Sequence, residues 1–281
     1  MIGIIDVGGG MRGIYAAGVL DWCLDNGIAF DYMIGVSAGA ANISSFAAGQ
    51  RGRNYRFYMD YSRRRQYMGV WQKLRTGNFL NLDYVYGTLS NTGGEDPLDF
   101  EALTANPAQM CVVAADALTG EPEYFYKEGY EKDNYGFISA SCCVPWANRA
   151  YRFNGRLYYD GGIADPIPVT RAFEDGCDKL VVLLTRPRDY YRSDKKDRRL
   201  ARRIKRRFPN AAEGLENRAL TYNAELDLAK YYEREGKALI IAPDTIEGMS
   251  TLTRSKKKQE TLYHKGMADA QAIGEFVNGT A

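Results

Sequence analysis

The chain has 281 residues, of which 45% are hydrophobic and 26% charged, and its formal net charge is +2. A chain of this length buries roughly three quarters of its unfolded surface, so one large domain needs neither a disulfide nor a metal ion to stabilise it. The near-neutral charge argues against a generally cationic nucleic-acid-binding protein, and no apolar run is long enough to span a membrane.

The cysteines lack the spacing of a metal or redox site. None of the five forms a CxxC pair, and four of them lie within or beside apolar runs. This usage predicts reduced thiols in the core of a cytosolic protein. The five are Cys23, Cys111, Cys142, Cys143 and Cys177.

Short β-branched runs alternate with longer helical patterns along the chain, which predicts an α/β protein with a largely parallel sheet. The first strand begins at once, without the charged region and cleavage site of a secretory signal peptide. Helices are predicted over 16–24 and 38–48. The predicted strands are 2–7, 31–36, 110–115, 123–126, 156–159, 179–185 and 237–242.

A glycine loop, GGGMRG at residues 8–13, follows the first predicted strand and opens a helix. It satisfies the G-x-G-x-x-G fingerprint, so a Rossmann-type oxidoreductase is one hypothesis. That hypothesis needs an acid at the end of the second strand to bind a ribose, whereas Asp31 lies before that strand. Consecutive glycine N–H groups at a helix start also suit an oxyanion. We therefore favour an oxyanion hole.

A serine stands in the turn after the second predicted strand. The sequence Gly35-Val36-Ser37-Ala38-Gly39 has the G-x-S-x-G pattern of a nucleophile elbow, with a strand before it and a small, apolar helix after it. The two glycines leave room for the tight turn, and the Ala38 N–H points toward a forming oxyanion. This position predicts that Ser37 is a nucleophile.

The base that would activate Ser37 has two candidates on the residues alone. The sole histidine, His264, lies in a predicted helix that also carries lysines, so we expect it on the surface. A triad that uses His264 would need this helix to fold over the elbow. Asp160 ends an aromatic-rich strand and precedes Gly161-Gly162, and partial desolvation would raise the basicity of its carboxylate.

Together, these motifs resemble the patatin-like phospholipase family, acyl hydrolases with a Ser-Asp dyad in place of a triad. The glycine loop, the elbow and Asp160-Gly161-Gly162 stand in one order, and AADALTGE at 114–121, SASCCVP at 139–145 and DPIPV at 165–169 extend the match. The resemblance covers residues 2 to about 185 and is closest to the bacterial branch of small, stand-alone predicted phospholipases.

The resemblance implies a three-layer α/β/α fold and a reaction without metal or organic cofactor. Ser37 would be the nucleophile and Asp160 the proton acceptor, with membrane lipids as substrates. The oxyanion hole would comprise Gly8, Gly9, Gly10, Arg12, Gly13 and Ala38, and the motif glycines would be Gly35, Gly39, Gly161 and Gly162. A scaffold that binds a lipid without hydrolysing it is an alternative.

The resemblance is thin after residue 185. We predict a catalytic core over 1–185, with 186–281 completing or flanking the same domain. Residues 186–207 hold twelve Lys or Arg against three Asp. This excess suggests docking on an anionic membrane, in a cytoplasmic protein with peripheral membrane contact. A solvated basic helix is the alternative, and nucleic-acid binding is not expected because no module for it surrounds the segment.

Overall fold

The computed structural model describes residues 1–246 and 248–279. Its described strands form one mixed sheet in the order β5-β6-β3-β2-β1-β7-β8, with β4 also paired to β3. Neighbours among β1, β2, β3, β7 and β8 run parallel, whereas β4, β5 and β6 pair antiparallel. The strands are β1 (Ile2–Asp6), β2 (Tyr32–Val36), β3 (Gln109–Asp116), β4 (Pro122–Tyr126), β5 (Tyr151–Phe153), β6 (Arg156–Asp160), β7 (Lys179–Leu183) and β8 (Ala238–Ile241).

Helices lie on both faces of this sheet. They are α1 (Ile14–Asp25), α2 (Ala38–Ala47), α3 (Arg53–Met59), α4 (Val70–Thr76), α5 (Phe100–Ala105), α6 (Gly136–Ser141), α7 (Val169–Glu174), α8 (Lys195–Ile204), α9 (Pro209–Arg234), α10 (Lys256–Asp269) and α11 (Gln271–Asn278). Short 3₁₀ turns cover Gly10–Gly13, Tyr61–Arg63, Lys127–Gly129 and Gly161–Ile163, and a π-helical turn covers Asp83–Thr88.

Alternate strand residues fill two separate cores, because successive side chains of a strand point to opposite faces. Ile4 and Met33 pack with α1, α2 and α10 on one face. Ile5 and Ile34 pack with α7 and α9 on the other. The predicted three-layer α/β/α fold with a largely parallel sheet is therefore confirmed.

The seven predicted strands and both predicted helices lie within two residues of observed elements at each end. The prediction missed β5. A two-residue turn, Asn154 at φ 45° and Gly155 at φ 79°, joins it to β6. Asn-Gly is the usual turn of a tight hairpin, so this dipeptide was an available signal. Strand β5 is only three residues long and has Arg152 at its centre, which hid it.

The last third of the chain is joined closely to the rest. Strand β8 extends the sheet beside β7, and α10 packs against α1. At that helix crossing, a Cβ on Gly18 would clash with the carbonyl oxygen of Tyr263, and one on Gly266 would clash with that of Tyr15.

All five cysteines are buried, free thiols. Among the helices within 1–246 and 248–279, none has both the length and the apolar composition for crossing a bilayer.

The close approach of α1 and α10 gives a stability prediction. Gly266→Ala should lower the free energy of unfolding by about 1–3 kcal/mol, because the added methyl group forces the two backbones apart. Urea unfolding followed by circular dichroism measures it. Gly274→Ala in α11 is the matched control, since its Cβ would meet only Trp22 at an ordinary 3.6 Å, and it should stabilise the chain by roughly 0.5–1 kcal/mol. Equal unfolding midpoints for both variants would contradict the tight crossing.

Candidate active site

Ser37 occupies the turn between β2 and α2 in a strained backbone conformation, with φ 57° and ψ −131°. Non-glycine residues rarely adopt a positive φ, and such strain is concentrated at functional sites. The turn is possible because Gly35 and Gly39 lack side chains. A Cβ on Gly35 would lie 2.7 Å from the Cα of Ala40, and one on Gly39 would clash with the Asp6 carbonyl oxygen. The predicted elbow has this geometry.

Strand pairing brings Asp160 to Ser37. Strand β4 pairs with β3 over residues 111–115, so β2 and β6 must share the opposite edge of β3. Along that edge, Val36 pairs with Val113, and the next β3 residue, Ala114, pairs antiparallel with Asp160. Strand β6 thus takes over where β2 ends, and the last residue of β6 meets the first residue after β2.

The Asp160 carboxyl group is almost fully buried, with 3% of the residue exposed. It accepts a hydrogen bond from the Gly162 N–H at 2.9 Å, and it shares a cavity with Ser37. Burial raises the pKa of Asp160, while the charge of Arg218, the neighbouring Ser37 hydroxyl and the Gly162 N–H act in the opposite direction. A desolvated carboxylate with a raised pKa is a better proton acceptor than an exposed one.

Ser141, at the end of α6, holds the backbone of the elbow. Its hydroxyl accepts the Ser37 N–H at 2.8 Å and donates to the carbonyl oxygen of Val113 at 2.6 Å. It thereby links the turn to β3. Ser141 lies in one of the motifs that carry the family resemblance, but its role could not be predicted, because its hydroxyl bonds only backbone groups and so has no side-chain partner to look for.

The glycine loop lies directly against the elbow. Gly8, Gly9 and Gly10 all have positive φ, and a Cβ on Gly8 would lie 2.8 Å from the amide nitrogen of Ala38. The Gly8 N–H donates to Asp6 at 2.9 Å, so it does not point freely toward a substrate. Gly9 and Gly10 precede and open a 3₁₀ turn, where N–H groups have no partner within the turn.

The other two loop residues of the predicted oxyanion hole have different surroundings. Arg12 lines the same cavity as Ser37, and its Nε donates to the Thr185 carbonyl oxygen at 3.1 Å. Burial, more than any neighbour, lowers the pKa of Arg12 to about 10. Gly13 packs against Ala38 and Tyr58 and does not line the cavity.

A buried polar pair supports this loop from behind, and the sequence analysis did not single it out. The Asp6 carboxylate accepts the Gly8 N–H and the Asn42 side-chain amide, the latter at 2.8 Å. Burial raises the pKa of Asp6 to about 6, and both hydrogen bonds oppose that change. Asp6 ends β1 and Asn42 lies in α2, so the pair joins the loop to the elbow helix.

Two residues of the alternative hypotheses lie elsewhere. His264 is exposed on α10 with its ring against Tyr263, and it does not line the cavity that holds Ser37. Asp31 precedes β2 and accepts the N–H of Ile2, at the start of β1. The glycine loop follows the other end of β1. An acid for a bound ribose is therefore absent from the predicted position.

Ser37 and Asp160 line a cavity of about 350 Å³. Its lining includes an apolar set, which we call the apolar wall, and a basic set, which we call the charged wall. The apolar wall includes Phe57, Met68, Phe79, Leu80, Val144 and Trp146. The charged wall includes Arg12, Arg186, Arg192, Lys196 and Arg218.

Comparison with models of known protein families shows which family this chain belongs to. The model of the patatin-like phospholipases matches residues 7–173. The chain belongs to this family. The resemblance inferred from the motifs is thereby confirmed. A second family model, of a domain of unknown function named DUF6363, matches residues 208–276. The patatin match contains Ser37, Asp160 and the glycine loop, whereas Arg186, Arg192 and Arg218 lie outside it.

Relatives of this patatin-like chain include an uncharacterized Escherichia coli protein, YjjU, which is 33% identical over 198 residues, covering 68% of this chain and 53% of YjjU. The lysophospholipase NTE1 of Candida albicans is 25% identical over 65% of this chain and 13% of its own length. NTE1 of Saccharomyces cerevisiae is 26% identical over 64% and 10%. The chain thus spans about half of YjjU and a small part of the NTE1 proteins.

A solved structure shares the fold. The crystal structure of VipD from Legionella pneumophila superposes with a TM-score of 0.55 at 14% identity, covering 97% of this chain and 66% of that one. The aligned region includes almost all of the present chain, so the architecture extends beyond the part matched by the patatin model.

The Ser141 link predicts a large effect from the loss of one hydroxyl. Ser141→Ala should lower the free energy of unfolding by about 1–3 kcal/mol, because the Ser37 N–H and the Val113 carbonyl each lose a buried partner. Urea unfolding measures this change. Ser44→Ala is the control: Ser44 is also buried, but its hydroxyl donates only to Ala40 within its own helix. A loss equal to that of Ser44→Ala would contradict the proposed support of the elbow.

Proposed function

We propose that this chain is a serine acyl-ester hydrolase that acts on lipids, of the phospholipase A or lysophospholipase type. Ser37 is its nucleophile and Asp160 its proton acceptor. The observation that carries the proposal is the placement of the buried Asp160 carboxylate beside Ser37 in one cavity, at the point where β6 takes over from β2. Membership of the patatin-like phospholipases and the similarity to proteins named lysophospholipases support the lipid substrate.

In the first half of the proposed reaction, Asp160 takes the Ser37 proton as Oγ attacks the ester carbonyl carbon. The negative charge on the former carbonyl oxygen is stabilised by amides at the start of the 3₁₀ turn and of α2, those of Gly9, Gly10 and Ala38. Collapse of this intermediate breaks the bond to the alcohol oxygen, and Asp160 returns its proton to the departing alcohol. The product is an acyl ester of Ser37.

In the second half, Asp160 takes a proton from water, and the hydroxide attacks the acyl carbon. Breaking the bond to Oγ returns the proton to Ser37 and releases the fatty acid. The apolar wall of the cavity suits an acyl chain, since burying each methylene group contributes about 0.8 kcal/mol. The mechanism needs no metal or organic cofactor.

Two alternatives are weaker. A scaffold that only binds a lipid would have no use for the strained serine or for a buried carboxylate beside it. A Rossmann-type oxidoreductase would need a ribose-binding acid, and Asp31 lies at the far end of β1 from the glycine loop. We also propose that residues 186–281 complete the domain whose catalytic core is 1–185. The pairing of β8 with β7 and the close α1–α10 crossing support this division.

The dyad predicts which residues abolish the reaction. Ser37→Ala and Asp160→Asn should each lower kcat for a lysophospholipid by a factor on the order of 10²–10⁴, because each removes one partner of the proton transfer. Thermal unfolding should show that both variants remain folded. Wild-type protein should be labelled at Ser37 by a fluorophosphonate. In the pH profile of kcat/KM, the apparent pKa of the acidic limb should lie above the ordinary pKa of an aspartate, since burial raises the pKa of Asp160.

The control is His264→Ala, which should keep full activity because His264 is exposed and outside the cavity. Activity that survives Asp160→Asn but is lost in His264→Ala would overturn the dyad. A folded wild-type protein that hydrolyses no lipid ester and leaves Ser37 unlabelled would overturn the hydrolase and favour the scaffold.

We further propose that this cytoplasmic enzyme docks on anionic membranes through the basic segment 186–207. Parts of the segment are neutralised, since Arg198 pairs with Asp194 and Arg188 with Glu233. The exposed side chains of Arg202 and Arg203 have no carboxylate within ion-pair distance among the described residues. Clustered cations of this kind gain roughly 1 kcal/mol each near an anionic surface.

Liposome sedimentation tests this docking. We expect binding to anionic vesicles that weakens with added salt, and a loss of about tenfold or more in Arg202→Gln/Arg203→Gln. The control, Lys256→Gln/Lys257→Gln, removes two exposed charges at the start of α10 and should bind as the wild type does. Equal binding to neutral and anionic vesicles, insensitive to salt, would contradict the electrostatic proposal.

A further inference from the structure

The charged wall of the cavity carries more positive than negative charge. Its five cations, Arg12, Arg186, Arg192, Lys196 and Arg218, face two lining carboxylates, those of Asp160 and Asp197. Arg53 also lines the cavity, but its guanidinium already donates to Ser45, Ser90 and the Asp96 carbonyl oxygen. Like charges crowded in a partly buried site repel each other, so an excess of this kind favours a bound anion.

Arg192 and Arg218 compete for one carboxylate. Asp197, with its side chain 2% exposed, accepts two hydrogen bonds from Arg192, at 2.7 and 2.9 Å. The same carboxylate lies 4.0 Å from Arg218, beyond hydrogen-bond distance. Asp197 therefore satisfies Arg192 and leaves Arg218 only a weak ion pair.

Arg218 lines the cavity and has a donor without an acceptor. Its Nε is buried and has no hydrogen-bond partner among the described residues. One of its terminal nitrogens lies 2.8 Å from where a Cβ of Gly162 would be, beside the Asp160 carboxylate. A buried guanidinium donor without an acceptor is costly, and a ligand oxygen would relieve that cost.

Two of the other three cations, Arg186 and Lys196, also lack acidic partners among the described residues. Arg186 stacks on the ring of Tyr190 at 4.1 Å, and Lys196 is exposed. Neither has a carboxylate within ion-pair distance in the described parts of the chain. Cationic donors from the loop after β7, from α8 and from α9 therefore line the same cavity.

From these contacts we propose that the charged wall is a subsite for a phosphate group on the alcohol part of the ester substrate. Several cationic donors around one space suit a phosphate, which offers more acceptor oxygens than a carboxylate. Asp160 protonates the departing alcohol and lies against Arg218, so the alcohol part of the substrate faces the charged wall. The acyl chain then lies along the apolar wall. This inference rests on the proposed hydrolase, and it makes residues outside the patatin match part of substrate recognition.

A matched pair of substrates tests the subsite. We would compare kcat/KM for a short-chain acylglycerol phosphate and for the acylglycerol with the same chain, which lacks only the phosphate. Wild-type enzyme should prefer the phosphate ester. In Arg186→Gln/Lys196→Gln that preference should fall by about 10- to 100-fold, because two charged contacts to the phosphate are lost. Lys195→Gln/Arg199→Gln, with the same loss of charge beside the cavity, should keep it.

No preference in the wild type, or an equal fall in the control variant, would overturn the subsite. Calorimetry on the hydrolytically inactive Ser37→Ala protein gives a readout without turnover. The acylglycerol phosphate should bind at least tenfold more tightly than inorganic phosphate, and Arg186→Gln/Lys196→Gln in that background should weaken it. Inorganic phosphate binding as tightly would show a site for free phosphate and overturn the substrate assignment.

The two proposals can fail separately. If neither ester is hydrolysed and Ser37 is not labelled by a fluorophosphonate, the hydrolase fails. The calorimetric comparison still decides whether the wall binds a phosphate ester. If both esters are hydrolysed at equal kcat/KM, the hydrolase stands and the subsite fails.

Discussion

The geometry of the site depends on a change of partner along one edge of β3. Strand β2 pairs with that edge as far as Val113, and β6 pairs with it from Ala114 onward. The end of a parallel strand therefore meets the end of an antiparallel strand, and the two side chains at the junction are Ser37 and Asp160. Rigid strand pairing fixes their separation, so no flexible loop is needed to bring the two side chains together.

Much of the surrounding structure maintains this junction against strain. Ser37 has a positive φ, and Ser141 pairs its N–H while also bonding the β3 carbonyl just before the change of partner. Gly8 and Gly39 bring the first loop and the elbow helix into contact. The buried Asp6 carboxylate links the two through the Gly8 N–H and Asn42. Ser141, Asp6 and Asn42 are buried, so the strain is supported by several hydrogen bonds whose side-chain partners are shielded from water.

The sequence predicted the parts of this arrangement that have a strong local pattern. The strands are β-branched runs between turns, the elbow and the glycine loop are short motifs, and Asp160 precedes two glycines. Two kinds of feature could not be predicted. The roles of Ser141 and Asp6 depend on hydrogen bonds to backbone groups distant in sequence, which leave no pattern. The use of the Gly8 N–H by Asp6 likewise removes a donor that the motif alone counts as available.

Arg218 belongs to the same class, because an arginine in the middle of a 26-residue helix gives no hint that it reaches Asp160. Its position has a consequence for the chemistry. The charge of Arg218 lowers the pKa of Asp160 and so opposes the effect of burial. A phosphate bound between Arg218 and its neighbours would offset that charge, and the basicity of Asp160 would rise when the substrate is present. On our proposal, the residues that recognise the phosphate therefore also adjust the proton acceptor, which couples substrate selection to the strength of the base.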